Sequence, residues 1–499
     1  MKKFYFGSYD ISHQRQYSNE RVNEDTENEG SRTKQYIAAV CASITIIVCG
    51  AGQTWSSPAI PHLTREHSLF LVTDAQAIWI VSLYNVGDLI GALLNPLFID
   101  RIGRKYTLLL SALPCLIGWC LIIFAQNYIH LYIARLITGI SQGSSLNCLI
   151  IYLTEISDKN VRGMLVNMIQ ISFHIGLFIF TAIGAFASYK ILNIFSISIL
   201  IIFLMILPSL PETPYFYLLK GKKTDAMKCL MKLRGINSSN KLEPEIREME
   251  LVIEEDKKNT KTFAFFELFT KSYNRKGLII MFFMRATMML SGYVCIVAYS
   301  EDILSQNSLP IKAGVQVMIV NGIGFPASLC TALFIDKINR RILFSTTAML
   351  GSFCLCSVGL FFFLKYYLKT DTFSIEWLPV VALTLFQIFF IFGFGIIPHI
   401  TIGELFSIKV KSSAVCLGRI FVTMINFGTT AGYKPLNNSF GIYTTFWIFA
   451  FFTFFGSLVT YWITPNTTGM TLEEIQAMQN PELEKKLNSK RRSERSRNI

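Results

Sequence analysis

Three ionisable side chains interrupt otherwise apolar stretches of this chain: Asp88, Arg285 and Arg419. A charge among hydrocarbon is costly, so such residues pair with one another, line a water-filled path or carry protons. Asp88 precedes the charged turn at 100–105 by 12 residues, roughly 18 Å of helix. Arg419 stands eight residues beyond Lys411, roughly 12 Å along a helix, and its long side chain adds reach. Two chemistries fit Asp88: an ion pair, or a proton site that moves with a solute. His174 and His399 are further titratable groups inside apolar stretches, and a lone helical histidine such as His174 reads as a packed hydrogen-bonder. Bond-making chemistry finds no support. Gly50-Ala51-Gly52 lies within an apolar run with no Gly-Lys-Ser/Thr after it, so it is no phosphate loop. Cys354-x-Cys356 also lies within such a run and reads as packing. No metal cluster, nucleophile elbow or cofactor motif is present in the sequence, and an enzyme is not expected.

The elements that position these groups follow from a duplication. Asp100-Arg101-Ile102-Gly103-Arg104-Lys105 is echoed by Asp336-Lys337-Ile338-Asn339-Arg340-Arg341, 236 residues on. Glu155, seven residues before Arg162, is echoed by Glu404, seven before Lys411, and Pro211-Glu212-Thr213-Pro214 is echoed by Pro465-Asn466-Thr467-Thr468. Parallel repeats about an axis along the membrane normal are one plan of secondary transporters. The composition agrees: of 499 residues, 52% are hydrophobic and 16% charged, too apolar for one soluble domain. Apolar stretches of about 20 residues span a roughly 30 Å hydrocarbon core, and backbone in lipid must be helical or a closed barrel. Spans are expected near 36–57, 75–98, 107–125, 128–153, 164–187 and 190–209, then near 277–300, 313–335, 343–367, 377–402, 413–434 and 440–463. The fold class is all-α integral membrane, two pseudo-symmetric six-helix bundles at 36–209 and 277–463.

Charge sets the orientation. The net charge of +13 invites a nucleic-acid reading, but its distribution does not. Apart from Arg65, Lys190, Lys312, Lys365, Lys369, Lys434 and the intramembrane Arg135, Arg285 and Arg419, every Lys and Arg falls on one side of the expected spans. By the positive-inside rule that side is cytoplasmic, with both termini. It holds a polar tail at 1–35 lacking a signal-peptide pattern, a helical linker at 210–276 with amphipathic segments 222–234 and 243–258, and a basic tail at 464–499. The tail opens with a helix-capping pattern, Thr471-Leu472-Glu473-Glu474. Its run from Lys485 to Arg497 is topogenic and suited to anionic lipid, at about 1 kcal/mol per basic residue near the surface. Ten of eleven cysteines fall in spans and Cys229 in the linker, so no extracellular disulfide is expected. Of the sequons at Asn237, Asn437 and Asn466, only Asn437 is placed outside. A lipid bilayer and a small solute are the expected partners, at the cell membrane.

These pieces in this order resemble the sugar-porter branch of the major facilitator superfamily, with insect trehalose and glucose facilitators nearest in pattern. The residues that carry the resemblance are Asp100-Arg101-x-Gly103-Arg104-Lys105, Ala134-Arg135-x-x-x-Gly139, Tyr152-x-x-Glu155, Arg162-Gly163 and Pro211-Glu212-Thr213-Pro214 in the first half. In the second they are Leu290-Ser291-Gly292, Asp336-x-x-x-Arg340-Arg341, Gly393-x-Gly395-x-x-Pro398 and Gly403-Glu404-Leu405-Phe406. The resemblance implies alternating access to a midplane cavity. It also implies a cytoplasmic charge network of Arg104, Glu155, Arg162, Glu212, Arg341, Glu404 and Lys411 that latches the halves when the inner side closes. Gln170 and Asn426 are brought to cavity positions, Phe390 to an aromatic wall and Tyr299 to an outer gate. The family fold places the second and eleventh spans face to face, so an Asp88–Arg419 pair is expected when the inner side is shut. Arg135 is expected near the outer end of its span, snorkelling to the interface.

The chain also departs from the family pattern. Met288 and Met289 replace two glutamines before Leu290-Ser291-Gly292, and the asparagine two residues later is Val294. His399 replaces a cavity-facing tryptophan, Ile391 a polar residue, Asn339 a glycine and Asn466 a latch glutamate. Three lost hydrogen bonds at roughly 0.5–1.5 kcal/mol each would weaken hexose binding by about one to three orders of magnitude. A less polar cargo, low affinity, or a non-transporting sensor would each fit that loss. Symporters of the family carry a carboxylate in span one, where this chain has Gly50-Ala51-Gly52-Gln53-Thr54, so a uniporter is the expectation.

Overall fold

The computed structural model describes residues 31–464 except 65–69, 159–160, 237, 260–263, 335–337 and 407. The regular elements among them are all helical, and twelve candidate spans are long and apolar enough to cross a bilayer. Spans 1 to 6 are Thr33–Leu63, Asp74–Ile102, Arg104–Ile123, Tyr128–Ile156, Arg162–Phe186 and Tyr189–Ser209. Spans 7 to 12 are Asn274–Ala298, Ala313–Thr331, Arg340–Tyr366, Phe373–Thr401, Ser413–Phe440 and Ile442–Ile463. Spans 1 and 2 exceed the stretches read from hydropathy because local signals extend them. Span 1 breaks at Trp55 and restarts at Ser56. Span 2 opens with a reciprocal cap: the Gln76 amide N–H donates to Thr73 Oγ1 at 3.3 Å, and the Thr73 N–H to Gln76 Oε1 at 3.0 Å. Gly103, at φ +97°, makes the tight turn between spans 2 and 3.

Small residues set the closest approaches, as expected where lipid supplies no hydrophobic drive between helices. Gly87 and Gly91 of span 2 interlock with Gly139 and Gly143 of span 4. A Cβ at Gly91 would strike the Ile140 carbonyl, and one at Gly143 the carbonyl of Asp88, so this packing fixes Asp88 in depth. Spans 2 and 11, and spans 5 and 8, pack across the two halves. Large apolar side chains such as Ile117, Ile194, Met205 and Phe451 stand exposed on the lipid-facing perimeter.

We call the side bearing the 100–105 turn the charged face and the other the opposite face. At the charged face, helices Pro214–Leu219, Lys223–Arg234 and Ser239–Asn259 gather Leu218, Leu230, Ile246 and Ile253 into a small apolar cluster of their own. The last of these begins four residues before the expected 243, carrying Pro244 inside it. Arg234 fastens the cluster to the bundle: its Nη1 donates to the Ile156 carbonyl at 2.9 Å and its Nη2 meets Glu245 at 2.6 Å. The capping pattern at 471–474 and the basic tail lie outside the described residues.

Candidate solute-binding site

Three spans of the second half are interrupted at mid-depth. Span 7 breaks at Ser291-Gly292, where Gly292 takes φ +74° against the Phe449 ring. Span 8 is interrupted at Ile323. Span 10 takes a π-type turn at Phe390–Phe394: the Gly395 N–H donates to the Phe390 carbonyl at 2.8 Å, and the Phe394 N–H to Thr347 Oγ1 at 3.1 Å. Broken helices and π-turns mark binding sites in membrane proteins. The two interruptions in spans 7 and 10 meet directly, since Tyr293 stacks on Phe390 with ring centroids 3.7 Å apart. Phe390, the residue expected in an aromatic wall, is thus one of a stacked pair of rings. Met288 and Met289 are buried just before the break.

Amide side chains surround these breaks without protein partners. Gln170 of span 5 is half-buried and its side chain makes no hydrogen bond. Asn426 of span 11 has its Oδ1 buried and unpaired. The sequence reading missed two more, Asn321 of span 8, unpaired at both amide atoms, and Gln387 of span 10, unpaired at Nε2. Gln387 Nε2 and the His174 ring converge on Gly324, one turn beyond Asn321. His174 itself is buried, with Nδ1 2.8 Å from the Gln170 carbonyl. A buried amide atom left unpaired costs roughly 1–3 kcal/mol, and three such side chains, Asn321, Gln387 and Asn426, with the half-buried Gln170 beside them, point to a polar occupant.

The intramembrane charges are arranged unequally. Arg419 donates to Asp88 across the two halves, with side chains 19% and 14% exposed. The pair ends a line of contacts between spans 2 and 11 that begins at the opposite face. That line runs from Asp74–Lys434 through Trp79–Phe427 to Thr430, which Ser82 and Asn85 reach at 3.4 and 3.3 Å. The sequence reading tied the pair to closure of the charged face. Here the pair stands at the inner end of the contacts that hold spans 2 and 11 together toward the opposite face. Tyr299, the expected gate, is buried and stacks on Tyr433 at 4.7 Å near the same end. His399 is exposed two residues before the charged-face end of span 10, within electrostatic range of Arg285 and Arg419. Arg285 is 5% exposed and makes no hydrogen bond or ion pair.

Arg135 corrects an expectation. It does not snorkel: it is 1% exposed, donates to the carbonyls of Gly52 (2.7 Å) and Ile80 (3.2 Å), and lies over the Tyr84 ring at 4.1 Å. The break at Trp55 leaves the Gly52 carbonyl free to receive it.

At the charged face, Arg104 grips Glu155 through Nε (3.1 Å) and Nη2 (2.7 Å) and pairs with Asp100 at 3.1 Å. Thr213 donates to the other Glu155 oxygen at 2.6 Å. Glu212 accepts N–H bonds from Arg104 (3.0 Å), Lys105 and Thr213 (3.0 Å), a carboxylate at the start of span 3 where the helix dipole favours it. Burial pushes the Glu212 carboxyl above its usual range, opposed by those three N–H bonds. All these partners belong to the first half and the segment following it. Arg162 is exposed and unpaired among the described residues, and Arg341 lies over the Tyr461 ring at 4.3 Å. The side chains of Glu404 and Lys411 lie outside the described residues.

Two six-helix halves, broken helices at mid-depth and unpaired polar groups between them define a multi-pass membrane transporter. The chain matches the sugar (and other) transporter family over residues 4–478 and belongs to it. It is 29% identical over 448 residues to the facilitated trehalose transporter Tret1 of Apis mellifera ligustica, covering 89% of this chain and 88% of that one. Tret1 of Drosophila virilis is 28% identical over 445 residues, and the chain spans about half of its length, 48%. Among solved structures, the xylose transporter XylE from E. coli in an inward open conformation superposes with a TM-score of 0.73 at 16% identity, over 89% of this chain and 99% of that one. The proton:xylose symporter XylE bound to 6-bromo-6-deoxy-D-glucose superposes at 0.71 and 17% identity, covering 90% and 99%.

Proposed function

We propose that this transporter carries a polyhydroxylated solute of sugar type by alternating access, as a uniporter at the cell membrane. The observation that carries the reading is the set of unpaired amides, Gln170, Asn321, Gln387 and Asn426. Each offers donors and an acceptor suited to hydroxyl groups, and the Tyr293–Phe390 stack offers an apolar face for a ring. The trehalose transport named for its relatives supports a disaccharide or hexose. Residues 36–209 and 277–463 are the two moving bundles, and 210–276 links them. The charged face is cytoplasmic, with both termini, and the basic run from Lys485 to Arg497 lies against anionic lipid.

Transport then needs two exchanges of contacts. The line from Asp74–Lys434 to Asp88–Arg419 parts to open the opposite face. At the charged face, the latch set drawn from the resemblance closes as the halves approach, while the Arg104–Glu155–Glu212 clasp keeps the first half rigid. A uniporter is favoured because the stretch Gly50-Ala51-Gly52-Gln53-Thr54 of span 1 holds no acid, and Asp88 is held by Arg419. Uptake of labelled trehalose and glucose into oocytes, with Asn321→Ala and Gln387→Ala beside the parent at matched surface expression, tests the reading. Each variant is expected to raise KM at least about fivefold, the effect of losing about one hydrogen bond. Unchanged KM in both would remove these amides from the site.

A further inference from the structure

Arg285 stands out in this bundle. The residue is 5% exposed, its Nε is buried, and its side chain meets no acceptor. Its Nε packs against Gly418, where a Cβ would come within 3.2 Å, so it lies beside Arg419. Arg285 and Arg419 are near enough to repel one another, and His399 lies within electrostatic range of both. Among the described residues one carboxylate stands against them, Asp88, already engaged by Arg419. With His399 neutral, the local sum is one positive charge. Arginine is effectively never deprotonated in proteins, and an isolated buried charge is retained only where a partner offsets its desolvation.

The placement supports a partner that travels. Arg285 lies one turn before Met288 and Met289, on the segment of span 7 that ends at the Ser291-Gly292 break. The methionines cannot hydrogen-bond a neutral hexose as amides do, whereas a guanidinium fork binds a carboxylate through two parallel bonds. His399 adds an exposed imidazole on the facing span. We propose that the solute of this cavity is a monoanion: a sugar acid of the aldonic or uronic class, its carboxylate on Arg285 and its hydroxyls on the unpaired amides. This rests on the sugar-type reading above and narrows it. The unmatched charge explains why the polar residues missing from span 7 do not leave the cavity without an anchor.

The test uses the purified full chain in nanodiscs, read by thermal-shift titration, and the same protein in proteoliposomes, read by uptake. The probes are D-gluconate, D-glucuronate, glucose, trehalose and chloride. The proposal expects half-saturation by one of the acids at least about tenfold below either neutral sugar. It expects Arg285→Gln to erase that preference and Arg285→Lys to keep part of it, with both variants eluting as the parent does on size exclusion. Neutral sugars that bind and travel while the acids do not would overturn the proposal and leave sugar transport standing. Acid binding undiminished in Arg285→Gln would overturn it as well, since the anion would then sit elsewhere. Saturation by chloride alone would replace the sugar acid with an inorganic anion. Failure of every sugar and sugar acid to bind or enter would remove both readings together.

Discussion

The Asp88–Arg419 pair gives the sharpest handle on conformation. Removing one partner of a buried ion pair costs about 3–5 kcal/mol, whereas exposed pairs contribute about 0–1 kcal/mol. With side chains 14% and 19% exposed, this pair falls between, at about 2 kcal/mol. Because it continues the opposite-face zip, that energy belongs to one arrangement of the halves and not to both. Its loss should therefore shift the equilibrium toward opening of the opposite face by about 30-fold, at about 1.4 kcal/mol per decade. The single changes should be unequal. Asp88→Asn leaves Arg419 beside Arg285 with no counter-ion, whereas Arg419→Gln leaves Asp88 free to pair with Arg285 or take a proton. A suitable assay is the labelling rate of Ser82→Cys, a buried site in the zip, by a membrane-impermeant thiol reagent, with exposed Cys330, Cys356 and Cys416 changed to serine. Labelling should accelerate in Asp88→Asn and less so in Arg419→Gln, and return toward the parent in Asp88→Arg with Arg419→Asp. Equal labelling in all four would refute the role assigned to the pair.

Three other outcomes follow from the same contacts. Arg285→Met removes an unmatched buried charge and should raise the detergent Tm, with a gain of about 1–3 kcal/mol; a lower Tm would reveal a structural partner. Glu212→Ala should cost about 1–3 kcal/mol by stranding the N–H groups of Arg104, Lys105 and Thr213, while Glu212→Gln keeps an acceptor and should cost less. The pH sign for Glu212 is fixed by burial, which raises its folded value above the unfolded carboxyl near about 4.3. Its contribution is present in full below the unfolded value and is lost as pH rises through the folded one, so chemical denaturation of Glu212→Gln against the parent should show the parent losing relative stability with rising pH. Arg135→Leu should lower Tm by stranding the Gly52 carbonyl and removing the bond to Ile80, and an unchanged Tm would contradict the contact.

Much of the architecture was legible because it rests on periodicity and length. Twelve apolar stretches, the paired charged turns and a one-sided charge distribution need no coordinates, and the depths of Asp88 and Arg419 follow from residue counts. Partnership was less legible. Arg135 read as an interfacial residue because its distance along span 4 was all the sequence offered; the break of span 1 at Trp55, which frees a carbonyl for it, is a tertiary event. Glu155 and Arg104 were recognisable as a network, yet their partners within the first half depend on where Thr213 and Glu212 fold back. Asn321 and Gln387 are visible as amides in apolar runs, but only packing shows that they have no protein partner. Arg285 was visible as a charge in a span, and its isolation beside Arg419 came from the close approach at Gly418.

The most direct test of the account is solute uptake by the full chain in oocytes, with surface expression measured in the same cells. Labelled trehalose, glucose, glucuronate and gluconate would be offered at about pH 5.5 and about pH 7.4. The account predicts saturable uptake of at least one of these with no dependence on the proton gradient, as a uniporter with Asp88 held by Arg419 requires. Uptake that rises in acid would contradict the uniport claim and return Asp88 or His399 to a coupling role. No saturable uptake of any of the four, with the protein at the surface, would contradict the assignment of a sugar-type cargo.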